Sequence, residues 1–446
     1  MTDQNRYIPN SAAVEKEMLA EIGVNSFQDI LAAIPGELQA EFEIPIGTPL
    51  TELELSRAAD ELAGVNNPAG SALSFLGGGS YDHFVPSIIP ALVMRSEFYT
   101  AYTPYQAEVS QGTLQAMYEY QSMICQISDM DVANASLYDG ASAVAEACLM
   151  AMNITRKSRL LVSAGLYTNY LEVVKTYLQR SEATIDIIPE NEGLYDQDYL
   201  KNQDFSDVAA VIIQSPNRYG LVENWSAAGK LLADQPALFI TVGNPLALGM
   251  FATPGECDAD IYAGEGQVLG NGISYGGPGL GLFATRQKHV RKMPGRIIGA
   301  TTDVDGKPGF VLALQTREQH IRRERATSNI CTNQGLMALT AAIYLSLVGK
   351  TGFRKLAEIN FQRAHYCAAQ IDALPGFELK YGQAFFNEFV IQTAVPVNQL
   401  IAEGNKRGIM VGDAMDDGRL LRLAVTEKRT GDDIDKLVDF IRSQTA

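Results

Sequence analysis

At 446 residues with 46% apolar content, the chain is long enough for one large hydrophobic core and a smaller one, because a single core stops growing near about 250–300 residues. The net charge of −17 argues against nucleic acid or anionic lipid as a partner, since a phosphate-binding surface needs clustered Lys and Arg. Cys125, Cys148, Cys257, Cys331 and Cys367 are far apart with no C-x-x-C pair, which fits neither a disulfide framework nor a zinc site and leads us to expect a reducing cytoplasm.

The N-terminus, MTDQNRYIPNSAAVEKEMLA, has no basic region followed by an apolar stretch, and no run of about 18 apolar residues occurs in the chain, so a soluble, non-exported protein is expected. The first 65 residues read as short helices: Val14, Met18 and Ile22 recur at helical spacing before Gly23, Ser26 opens a second segment, and Thr51 with Glu54 forms a capping box for a third that ends near Gly64. This is an arm, too thin for a domain.

From 66 to 315, strand-length apolar runs (Leu160–Ser163, Ile185–Ile188, Val208–Ile213, Ala237–Val242) alternate with amphipathic stretches such as Thr168–Gln179. Alternation of that kind predicts an α/β domain with a parallel-rich sheet covered on both faces. Residues 316–446 form a smaller α/β domain, with helices over Gln334–Leu347 and Phe353–Ala373 and strands at Glu388–Thr393 and Leu420–Val425.

Polar and aromatic residues are densest in Tyr99–Gly112, preceded by Gly77-Gly-Gly-Ser-Tyr-Asp-His-Phe84. Tyr and Gln are costly to bury unpaired, so such a stretch forms a hydrogen-bond network at a subunit interface or around a ligand. Asn134-Ala-Ser-Leu-Tyr-Asp-Gly-Ala-Ser142 runs into a helix at Ala143–Met152, where free N–H groups and the dipole suit a phosphate; a plain helix cap is the other reading. Gly264–Gly272 and Gly276–Gly281 follow the strand-like Asp260–Ala263, but neither has a helix pattern and acidic partner behind it, which argues against a dinucleotide site.

His83, His289, His320 and His365 lack ligands at i+3 or i+4, so no metal site is expected; His83, among Tyr81, Asp82 and the glycines, is the exception worth testing. The basic runs His289, Arg291, Lys292, Arg296 and His320, Arg322, Arg323, Arg325 belong on solvated faces or subunit contacts. No G-x-S-x-G elbow occurs.

Taken together, Gly77–Pro86, YTAYTPYQAEVSQGTLQAMYEYQ, NASLYDGASAVAEA, QSPNRYG and Gly264–Thr285 resemble the P-protein family of the glycine cleavage system. The likeness spans nearly the whole chain and is strongest to the first subunit of the split glycine dehydrogenase (decarboxylating). It implies a fold-type-I pyridoxal-phosphate architecture, a large seven-stranded domain with a small C-terminal one, and an α2β2 tetramer in which the second subunit carries the cofactor on a lysine. By motif position that lysine falls near Val268 here, and no lysine lies between Lys230 and Lys288. A valine cannot form an imine, and Asn244, at the end of Leu238–Pro245, cannot supply the fixed negative charge that pairs with the pyridinium nitrogen.

The resemblance therefore implies a subunit with no catalytic residue of its own. It completes a partner's active site: Tyr102, Tyr105 and Gln106, with Ser110, Gln111 and His83, on the substrate or interface side, and backbone N–H groups of Gly276, Gly277 and Gly279 near the partner's phosphate. Asn134, Asp139, Gly140, Ala141 and Ser142 would be a vestigial phosphate cup. The implied reaction is glycine decarboxylation with transfer of the aminomethyl group to the lipoyl arm of H-protein. A pure scaffold, or a stand-alone pyridoxal-phosphate enzyme using Lys230 or Lys288, remain as alternatives.

Overall fold

In the computed structural model, residues 10–39, 47–66, 68, 70, 72–330, 332–415 and 418–444 are described; Cys331 lies outside them. Two units emerge, 1–67 and 68–446. In the first, the Ser11 side chain accepts the Val14 N–H to start α1 (Ala12–Ile22), which ends on Gly23 at φ 83°. Thr51 and Glu54 form the reciprocal capping box of α2 (Glu52–Ala63). Neither helix contains a buried residue.

The second unit is built on α3 (Gln111–Ser128), β1 (Val132–Ala133), α4 (Gly140–Thr155), β2 (Arg159–Ser163), α5 (Thr168–Leu178), β3 (Thr184–Ile188), β4 (Val208–Gln214), β5 (Leu238–Val242), β6 (Ile261–Glu265) and β7 (Gly281–Thr285). The seven strands lie in the order β1-β7-β6-β5-β4-β2-β3. Only β7 runs antiparallel to its neighbours, so the sheet is mixed but parallel-rich. Every residue of β4 is buried, as a strand sandwiched between helices requires. Alternation along β2 divides the core: Leu160 and Val162 face α4 and α5, while Leu161 joins the cluster that holds Tyr120 and Ile124 of α3. Each such side chain contributes roughly 1.5–3 kcal/mol of apolar burial.

A hairpin, β8 (Ile297–Thr302) and β9 (Pro308–Ala313), follows. Among the described helices, α6 (Gly335–Asp372) is long and apolar enough in composition to cross a membrane. It behaves instead as a core helix, burying Ala338 and Tyr344 in the large core and, beyond a break at Gly349, Cys367 and Ile371 in the small one. The small core lies beneath the sheet β10 (Phe377–Leu379), β11 (Glu388–Thr393), β12 (Asp413–Ala414) and β13 (Leu420–Ala424), ordered β10-β11-β13-β12, and is joined by Ile434, Leu437 and Ile441 of α7 (Gly431–Arg442). Leu73 and Ser74, which the sequence places in the large domain, pair instead with Ile409 and Met410 of the C-terminal region.

Candidate functional site

The carboxyl ends of β2, β4, β5 and β6 converge where open α/β sheets bind ligands. Here the space is nearly full: a cavity of about 20 Å³ remains, lined by Tyr81, Tyr167, Tyr170, Gln214, Asn244 and Glu265 among others. That admits about one water, whereas ligand pockets run to roughly 300–1,000 Å³. Tyr167 and Tyr170 meet edge to face at 5.4 Å, and burial keeps both phenols well above their ordinary pKa. Tyr81 and Tyr167 donate to Glu388 Oε2 at 2.9 and 3.0 Å, and the Arg422 guanidinium lies 5.7 Å from the Tyr167 ring. Val268 is 1% exposed, packed into the large core. Asn244 spends its Oδ1 on the Leu246 N–H, and its buried Nδ2 has no partner.

At the start of α4, Asp139 caps the helix by accepting the Ser142 N–H at 2.7 Å. The Glu265 carboxylate accepts three more backbone N–H groups, from Gly140 at 2.8 Å, Leu280 at 2.8 Å and Gln267 at 2.9 Å. Burial raises the Glu265 pKa, with these three donors opposing. Gly140 has no room for a side chain, since a Cβ would lie 2.3 Å from the Tyr170 hydroxyl and 3.0 Å from Glu265 Cβ. Asn134 is taken up by the Pro294 carbonyl and the Ser136 N–H, and Ala141 is buried. The cup that the sequence marks out is thus closed from within.

The Tyr99–Gly112 stretch is arranged oppositely. Tyr102 is 82% exposed, Tyr105 and Gln106 are exposed, and Ser110 is half-buried. A cavity of about 270 Å³ opens here, bounded by Tyr99, Tyr102, Thr103, Met117, Asn333 and Leu336 among others. Tyr105 stacks edge to face on His320 at 5.6 Å and lies 5.3 Å from the Arg296 guanidinium. Arg296, expected on a solvated face or at a subunit contact, is buried within the chain.

The family model of the glycine cleavage system P-protein matches residues 5–441. A Chlorobium limicola protein named probable glycine dehydrogenase (decarboxylating) subunit 1 is 51% identical over 442 residues, 98% of this chain and 99% of its own length. The chain belongs to the glycine cleavage system P-protein family. The crystal structure of glycine decarboxylase (P-protein) of the glycine cleavage system, in inhibitor-bound form, matches with a TM-score of 0.91 at 38% identity, covering 98% of this chain and 99% of that one. A glutamate decarboxylase from Lactobacillus brevis, 12% identical with a TM-score of 0.70 over 93% of this chain and 97% of its own, shares the fold alone. That fold is the fold-type-I pyridoxal-phosphate architecture expected from the sequence.

In this P-protein family member the side chains around the small cavity do not fit a covalently held pyridoxal phosphate. No lysine lies between Lys230 and Lys288, the region in which the resemblance puts the imine near Val268; Asn244 carries no fixed negative charge, and the N-terminus of α4 meets the Glu265 carboxylate. Lys230 is exposed on a helix, and Lys288 is exposed and paired with Asp260 at 2.9 Å, so neither supplies the missing amine.

The structure places several contact residues expected from the sequence in hydrogen bonds within the chain. His83 turns inward, 6% exposed, with Nδ1 2.7 Å from Glu427 Oε2. Gln111 is spent within the chain: its Nε2 donates to the Phe310 carbonyl and its Oε1 accepts the Phe310 N–H, both at 2.8 Å. The N–H groups of Gly276 and Gly277 donate to Ile273 and Ser274 carbonyls in a local turn, and Gly279 lies against Asp139 and Glu265. Missing from the sequence reading were Glu265 and Glu388. The signal for Glu265 was an acid at the carboxyl end of a strand immediately before a glycine loop; Glu388, opening an apolar strand, gave a weaker one.

Proposed function

We propose that this chain is the non-catalytic subunit of a two-chain, cytoplasmic P-protein, arranged α2β2, in which a lysine-bearing partner holds pyridoxal phosphate. The reaction is decarboxylation of glycine with transfer of the aminomethyl group to the lipoyl arm of H-protein. Pyridoxal phosphate supplies the electron sink when bound to that partner. This chain's share is geometric: Tyr102, Tyr105 and Gln106 orient groups across the interface, and the apolar surface around them excludes water. The observation that carries the reading is the nearly full space at the carboxyl ends of β2, β4, β5 and β6, together with aromatic side chains left exposed on the Tyr99–Gly112 segment.

The test is glycine-dependent CO2 exchange with H-protein, using this chain alone and mixed with the lysine-bearing subunit of the same organism. Exchange in the mixture only is the expected result. Exchange from this chain alone would overturn the reading.

A scaffold that merely stabilises the partner is the second reading, favoured by the inward placement of His83 and Gln111. Replacing Tyr102 separates the two, as developed below.

A further inference from the structure

The N-terminus of α4 has the donor set of an anion-binding site. Backbone N–H groups from three separate segments, at Gly140, Gln267 and Leu280, point at one place, and the 16-residue helix directs its positive dipole end there. Gly279 keeps the fourth side clear, since a Cβ there would come within 3.1 Å of Glu265 Oε2 and 2.9 Å of Asp139 Cβ. Elsewhere such a cradle receives a dissolved phosphate; here the negative group is a carboxylate carried by the last residue of β6.

We propose that Glu265 is an internal plug, its carboxylate replacing phosphate in this cradle and so keeping the chain from binding phosphate esters, pyridoxal phosphate included. The inference deepens the reading that the cofactor belongs to the partner, and gives it a cause separate from the missing lysine. A tethered carboxylate meets the cradle without losing translational freedom, an advantage that a dissolved anion lacks. Its two oxygens satisfy all three N–H groups, each of which would otherwise lose that partner in a partly buried place. The plug also explains why substituting Val268 by lysine alone would not restore a cofactor site: the phosphate position would remain occupied.

The experiment uses the full chain with inorganic phosphate as probe, against chloride at matched ionic strength, and reads thermal unfolding and calorimetric binding. Wild type should show no saturable response. Glu265→Ala should show a saturable, phosphate-dependent rise in Tm of several degrees and a measurable heat of binding, because ligand that binds only the folded state stabilises it by mass action. Should Glu265→Ala not fold in chloride, refolding in phosphate is expected to recover it. Glu265→Gln, which fills the space with a neutral group, should fold and ignore phosphate.

Phosphate binding by wild type, phosphate binding by Glu265→Gln equal to that by Glu265→Ala, or a Glu265→Ala chain indifferent to phosphate in both folding and binding, overturns the plug. None of these touches the CO2-exchange result in the two-chain mixture, so failure of the plug and failure of the subunit assignment are told apart.

Discussion

The two stretches that look most like active-site loops in this chain resolve in opposite ways. At the start of α4, every polar group traced finds a partner within the chain, and glycines make room for that closure. Along Tyr99–Gly112, the Tyr99, Tyr102 and Tyr105 side chains are exposed beside a cavity of about 270 Å³, the Tyr105 hydroxyl accepting an N–H from Arg296. Exposed Tyr is the residue type that interfaces use as rigid, amphipathic anchors. A polar-rich motif therefore announces either a self-satisfied network or a surface awaiting a partner, and only the geometry distinguishes them.

The largest effect expected on the closed side concerns His83 and Glu427. Burial alone would raise the Glu427 carboxyl, but the His83 ring, the Phe84 N–H and Asn360 outweigh it and hold the pKa at about 2, from an ordinary 4.5. A folded-state pKa below the unfolded one means stability that is present above about pH 4.5 and is lost as pH falls towards about 2, worth roughly 3 kcal/mol at neutral pH. His83→Ala should therefore destabilise by about 3 kcal/mol near neutrality, and the gap from wild type should narrow in acid. Urea unfolding across that range is the measurement. Equal midpoints at neutral pH would show that His83 is not the anchor described.

On the open side, Tyr102→Ala should leave the unfolding free energy within about 0.5 kcal/mol of wild type, because an exposed side chain is removed. Glycine-dependent exchange per assembled complex should fall roughly tenfold or more, about 1.4 kcal/mol of transition-state stabilisation, as mispositioning across an interface does. Full exchange per complex, with only assembly weakened, would leave the scaffold reading standing.

Much of the fold was legible because its signals are local or periodic. The Thr51 capping box, the Gly23 stop and the β4 run are visible in a few residues and recur in the structure. The antiparallel course of β7 was not, since direction depends on how the chain returns through the 266–280 loop. Neither was the pairing of Leu73 with Ile409, which joins segments more than 300 residues apart. At the site, the readings of Val268 and Asn244 rest on where the family resemblance puts an amine and an acid, and on residue types that are neither. The bonding of Glu265 was not legible, as it depends on the N–H groups of Gly140 and Leu280, which the sequence does not place beside it, as well as on that of its near neighbour Gln267. His83 failed for the same reason: Glu427, its partner, lies at the other end of the sequence.

Gln111 tests the boundary between the two regions, since it lies within the Tyr99–Gly112 segment yet its amide is engaged inside the chain. The paired hydrogen bonds with Phe310, and a third to the Ala107 carbonyl, tie the start of α3 to β9. Gln111→Ala breaks that tie and should cost roughly 1–2 kcal/mol, the net worth of a few such bonds with the Phe310 groups still able to reach water. Exchange per assembled complex should stay at the wild-type rate, because the amide is held by Phe310 and Ala107 within the chain. A rate loss as large as that of Tyr102→Ala, with stability unchanged, would mean that the Gln111 amide is released from Phe310 on assembly and belongs with the open side after all.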